Sequence, residues 1–144
     1  MTFDSDSVEQ TEAIASELAA GLRGGECIAL SGEMGAGKTQ FVRGLVRGLG
    51  GSSRSVTSPT FVLLNVYPGG RLTVFHLDAY RVGADDFDAI GFPELLEQGG
   101  VVVVEWPQRV TPLLPERRIA VHISPIGSTR RVVDIVHANE VHNL

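Results

Sequence analysis

The chain is poor in several things that narrow what it can be. It has one cysteine in 144 residues. That rules out an internal disulfide and suits a reducing compartment. Cys27 lies in an apolar run, so it reads as a small buried hydrophobe rather than a reactive thiol. No apolar stretch approaches the ~20 residues needed to span a bilayer. The start of the chain, with Asp4, Asp6 and Glu9, lacks the basic opening and apolar core of a signal peptide. A soluble, cytoplasmic protein is expected. The net charge of −5 argues against a free-standing nucleic-acid binder, which would show a basic face. Contact with RNA would therefore go through a partner. None of the asparagines Asn65, Asn139 and Asn143 precedes a lysine, so there is no N-K-x-D run for reading guanine. The histidines His76, His122, His137 and His142 show no metal-ligand spacing, although His76 could neighbour a site. There are no repeats and no low-complexity tract, and the length suits one domain over 1–144 with its own core.

Lysine is the most informative scarcity. Of 12 cationic residues only Lys38 is not arginine. It falls in Gly32-Glu33-Met34-Gly35-Ala36-Gly37-Lys38-Thr39, which fits G-x-x-x-x-G-K-[ST]. Glycines there let successive backbone N–H groups turn inward around an oxyanion. Lys38 can then reach the β- and γ-phosphates, and the Thr39 hydroxyl can hold Mg²⁺. An apolar run over 27–30 leads in as a strand. A helical pattern leads out, aiming a helix N-terminus and its dipole at the phosphates.

Residues 1–6 read as a frayed end. Ser7 and Gln10 have capping-box spacing, and Val8, Thr11, Ile14 or Ala15, Leu18 and Leu22 recur on one helical face up to Gly24-Gly25. A strand over about 26–31, the loop, and a helix over about 38–49 follow, with Phe41, Leu45 and Leu49 on one stripe. Residues 51–60 form a polar loop. The runs 61–67 and 72–77 read as strands of a hairpin turning at 68–71. Short helices broken at Gly91 and Pro93 suit 84–98. The four valines of 101–104 suit a strand covered on both faces. Strands over 118–123 and 131–137 close the chain around a turn at 127–129. The expected fold is α/β, P-loop NTPase-like, with three layers and a mixed, largely parallel central sheet flanked by helices.

A P-loop enzyme needs a second carboxylate at the end of a neighbouring strand. Asp78 and Glu105 each follow an apolar run. Glu105 ends the more convincing central strand, so Thr39 and Glu105 are assigned to the metal and Asp78 to positioning the attacking water, with the reverse as the alternative. Ser58 and Thr60, flanking Pro59, sit where a segment sensing the γ-phosphate often lies. Trp106 can stack on a base, meet a partner, or pack in the core. Arg81 and Arg109 are the nearest loop arginines. On these residues alone the chain is an ATP-hydrolysing switch. A small-molecule kinase with Asp78 as base, or a nucleotide-gated binding module, stands as an alternative.

GEMGAGKTQFVRG, VTSPTF, HLDAYR and VVEWPQ, in this order and spacing, resemble the TsaE (YjeE) family over about residues 7–137. The resemblance implies a P-loop ATPase using ATP and Mg²⁺, of low intrinsic activity and stimulated by its partners. The partners implied are TsaD and TsaB, which modify tRNA with threonylcarbamoyladenosine. It implies that Glu33 through Thr39 cradle the phosphates, with Thr39 and Glu105 on the metal and Lys38 and Asp78 serving catalysis. Ser58 and Thr60 would form a switch, and Thr11 and Trp106 would lie near the nucleotide. Met34 and Ala79 stand where leucine is usual.

Overall fold

The computed structural model describes residues 1–33, 35–56, 64–80 and 84–137. Met34, Ser58, Thr60, Arg81 and His142, with the first part of the expected strand at 61–63, lie outside the described residues. A seven-stranded mixed sheet runs in the order β1-β7-β6-β2-β5-β4-β3. Its strands are β1 (Thr2–Ser5), β2 (Cys27–Gly32), β3 (Leu64–Tyr67), β4 (Val74–Asp78), β5 (Val101–Glu105), β6 (Ile119–Ile126) and β7 (Arg130–Val136). Its helices are α1 (Val8–Ala20), α2 (Lys38–Gly48), α3 (Ala84–Ala89) and α4 (Phe92–Glu97). The inner strands β6, β2, β5 and β4 are parallel. The pairings outside them are antiparallel, so the parallel character is confined to the middle. Among the described residues no helix is long and apolar enough to cross a membrane.

Strand periodicity divides the core. Val101 and Val103 join Ile28, Leu30, Val121, Ile123 and the apolar stripe of α2 on one face. Val102 and Val104 join Cys27, Ala29 and Leu77 under Phe87, Phe92 and Leu95 on the other. Side chains two residues apart share a face, so a run of four valines must serve both layers. Cys27 is fully enclosed, and burial pushes its thiol up to about 12, which keeps it protonated and inert.

Two expectations fail. The N-terminal residues are not frayed. β1 pairs antiparallel with β7, with Thr2 opposite Asp134 and Ser5 opposite Arg131. Phe3 is the only bulky apolar residue in that strand, so nothing local marks it; the edge of β7 supplies its hydrogen bonds. The expected stripe of α1 fails only in part, since Thr11, Ala15 and Leu22 are buried and Ile14 and Leu18 pack partly against the core. Ser7 caps the helix as read, accepting from the Gln10 amide, while the Gln10 side chain reaches back to the Asp6 amide. Yet Thr11, Ala15 and Ala19 are buried and Val8 is half exposed. The cause is close helix packing. A β-carbon on Gly44 of α2 would stand 2.2 Å from the Glu12 carbonyl oxygen. Small residues let the two backbones approach, and that contact outweighs the larger side chains. Arg71, from the β3–β4 turn, then donates to the carbonyls of Ala19 and Leu22 at the C-terminal end of α1.

Gly44→Ala puts a methyl group against backbone that cannot rotate away. Overpacking of this kind costs about 1–3 kcal/mol. A lowered urea midpoint with an unchanged slope is expected; an unchanged midpoint would mean that the α1–α2 spacing is not tight.

Candidate functional site

β2 has β6 on one side and β5 on the other, so chain order reverses there and leaves a crevice at the C-terminal ends of the strands. The loop after β2 lies over that crevice. Gly35 and Gly37 have φ of 81° and 108°, the left-handed region that side chains avoid. Gly37 is the N-cap of α2, and no side chain caps that end. The first-turn amides and the positive end of the dipole are left for an anion.

Register brings the acids to the same place. Leu30 of β2 stands opposite Glu105, and Glu105 opposite Asp78. Glu105 follows Val101 and Val103, and Asp78 follows Val74, at even steps, so both carboxylates share the face of the α1–α2 core, the side from which Lys38 arrives. Lys38 is buried. Its Nζ donates to the Gly32 carbonyl at 2.8 Å and lies 3.8 Å from Glu105 Oε1. Burial lowers its pKa below the usual 10.5, opposed first by Glu105 and then by Asp78. Glu105 Oε2 meets His76 Nε2 at 2.5 Å. His76 is fully enclosed and its Nδ1 has no partner among the described residues, so the proton is placed on Nε2, where it has an acceptor. Asp78 Oδ1 accepts from the Tyr80 amide at 2.8 Å.

Trp106 is the only described non-glycine residue with positive φ, at 56°. That backbone turn, next to Glu105, lays the indole against the lysine, with Nζ 4.1 Å from the ring centroid. The Tyr80 ring is 4.9 Å from Trp106, and the Arg109 guanidinium is 5.1 Å from Tyr80. Arg109 is therefore the outer end of a stack that starts at the phosphate loop. Sequence reading had no means of seeing it, because the stack crosses three segments.

Lys38, Glu105 and Asp78 are brought together, with Thr39 in the same first turn of α2. Gly35, Ala36 and Gly37 form the loop itself, and Glu33 is exposed at its entrance. Thr11 is different: it is buried, with its hydroxyl 2.7 Å from that of Ser5, a bond that ties α1 to β1. Arg131 was missed. It reaches the loop from β7, donating to the Ala36 and Gly35 carbonyls at 2.9 and 3.3 Å. Only the Arg130-Arg131 doublet stands out in sequence, and nothing in its spacing points to the loop.

The donor set suits a hard cation. Thr39, Glu105 and Asp78 offer oxygens only. Among the described residues no group of three or more His, Cys, Asp and Glu could hold a metal ion. Such a site fits Mg²⁺, which keeps most of its shell as phosphate oxygens and water.

A nucleotide-free Lys38→Met variant tests the burial cost. Because the folded-state pKa is lowered, the unfolded chain binds this proton more tightly, and stability rises with pH across the window just below 10.5. Lys38→Met is expected to melt above the unsubstituted protein at pH 7, by a margin that shrinks towards pH 10.5. A variant that melts lower at pH 7 would show that the bonds to Gly32 and Glu105 outweigh burial.

The family model described as "Threonylcarbamoyl adenosine biosynthesis protein TsaE" matches residues 5–133. The chain is 38% identical over 125 residues to the tRNA threonylcarbamoyladenosine biosynthesis protein TsaE of Bacillus subtilis, covering 87% of this chain and 78% of that one. It is 42% identical over 115 residues to the TsaE of Treponema pallidum, covering 79% and 84%. The crystal structure of Bacillus subtilis YdiB superposes with a TM-score of 0.81 at 29% identity, covering 99% of this chain and 88% of that one. With the family model and both relatives matching most of the chain's length, the chain belongs to the TsaE family.

Proposed function

We propose that this protein is the ATP-binding and ATP-hydrolysing component of the tRNA threonylcarbamoyladenosine machinery, acting with TsaD and TsaB. The observation that carries the reading is the meeting of Lys38, Glu105 and Asp78 beneath the uncapped start of α2. A triphosphate tail would lie along the loop amides, with Lys38 turning from the Gly32 carbonyl to its oxygens. Mg²⁺, held by Thr39 and Glu105, would supply positive charge to those oxygens. His76 fixes the Glu105 carboxylate from beneath. Asp78, anchored through one oxygen by the Tyr80 amide, keeps the other to orient an attacking water. Ser58 and Thr60 would serve as the segment that senses the γ-phosphate, and hydrolysis would reset the assembly between cycles. A phosphate that drew Lys38 away from Trp106 would change the contact of the indole and, through it, those of Tyr80 and Arg109. That stack gives the docked partners a surface that depends on the nucleotide.

Lys38→Ala should abolish Mg·ATP binding by calorimetry. Asp78→Ala should keep the affinity and lower turnover by about 10²–10⁴-fold, the range for a lost acid–base group. Hydrolysis is to be followed with and without purified TsaD–TsaB. No stimulation by the partners, or an unimpaired Asp78→Ala variant, would overturn the reading. Emission from the one tryptophan in the chain should change as Mg·ATP binds, and should not change in Lys38→Ala.

A further inference from the structure

Arg131 has no place in that mechanism, yet its side chain is committed to the phosphate loop. From the second position of β7 its Nε donates to the Ala36 carbonyl at 2.9 Å and one Nη to the Gly35 carbonyl at 3.3 Å. The other Nη donates to the Arg130 carbonyl at 2.9 Å, which anchors the fork to its own strand. A β-carbon on Gly37 would stand 4.0 Å from the same Nε.

The physics of an anion-binding loop gives this clasp a purpose. Turning successive N–H groups inward forces the peptide carbonyls outward, where their oxygens crowd together. A planar guanidinium offers parallel donors to two such oxygens at once, which an ammonium cannot do. Its charge, placed behind the peptides, also draws electron density away from the N–H groups that face the anion. Within the loop the Ala36 amide donates to the Glu33 carbonyl at 3.0 Å.

We propose that Arg131 is a positioning residue that holds residues 35–37 in the anion-accepting conformation, so that β7 sets the loop's affinity for a polyphosphate. The proposal rests on the nucleotide reading above for its ligand, but not for the clasp itself.

The test uses the full chain and its Arg131→Met and Arg131→Lys variants, with Mg·ATP calorimetry and amide exchange in nucleotide-free protein. A hydrogen bond to a charged group is worth about 1.5–3 kcal/mol, so Arg131→Met is expected to bind Mg·ATP about 10- to 100-fold more weakly. The Ala36 amide should exchange faster, while the amides of 132–136 keep their protection. Arg131→Lys should recover part of the lost affinity, because one ammonium can still bond an outward carbonyl. Affinity within twofold of the unsubstituted protein, unchanged Ala36 exchange, or a Lys variant no better than Met would each overturn the proposal. Should Arg131→Met fail to fold, Arg131→Gln, which keeps a donor without charge, replaces it with the same expectations. If the unsubstituted protein binds no Mg·ATP, the nucleotide reading falls, and the exchange comparison still decides whether Arg131 holds the loop.

Discussion

The structure turns on one buried ammonium. Lys38 is held by a carbonyl at the end of β2, by a carboxylate at the end of β5 and by an indole beyond it. A cation in so enclosed a place is costly unless it is paired, and burial lowers the Lys38 pKa although Glu105 and Asp78 oppose it. The cost makes sense if a better partner is meant to arrive. A polyphosphate would give the ammonium more charge than Glu105 alone, while leaving Glu105 free for a cation. Such an arrangement would be preorganised for an anion, its donors already in place before the anion arrives.

The remainder of the fold serves that point. Parallel pairing of β2, β5 and β4 fixes Glu105 and Asp78 at one level, and strand ends so registered cannot slip without turning every side chain to the wrong face. The close α1–α2 contact holds α2 against the sheet, and through it the uncapped N-terminus over the crevice. β1 and β7, at the far edge, look remote from the chemistry. Arg131 shows otherwise, since its guanidinium reaches back to the loop's outward carbonyls.

Membership of the TsaE family gives this arrangement a biological setting, and the stack of Trp106, Tyr80 and Arg109 continues outward from Lys38. The indole touches the lysine inside and a tyrosine outside. At Trp106 the backbone is held at positive φ without a glycine, which its surroundings must impose.

By itself the sequence determined the loop, its lysine and threonine, the flanking strand and helix, the β3–β4 hairpin and the two acids at strand ends. Each of these is written in local chemistry: glycine spacing, apolar runs, capping residues and turn residues act over a few positions. Tertiary structure decided the rest. β1 exists because β7 offers it an edge, Ala15 and Ala19 of α1 are buried because Gly44 and Gly48 let the helix in close, and the hydroxyl of Thr11 is spent on Ser5. His76 beneath Glu105, Trp106 on Lys38 and Arg131 behind the loop are contacts between residues 29, 68 and 95 positions apart or thereabouts, set by sheet order and register. No periodicity or motif carries that information, because the energy that selects such contacts is released only when the strands have paired.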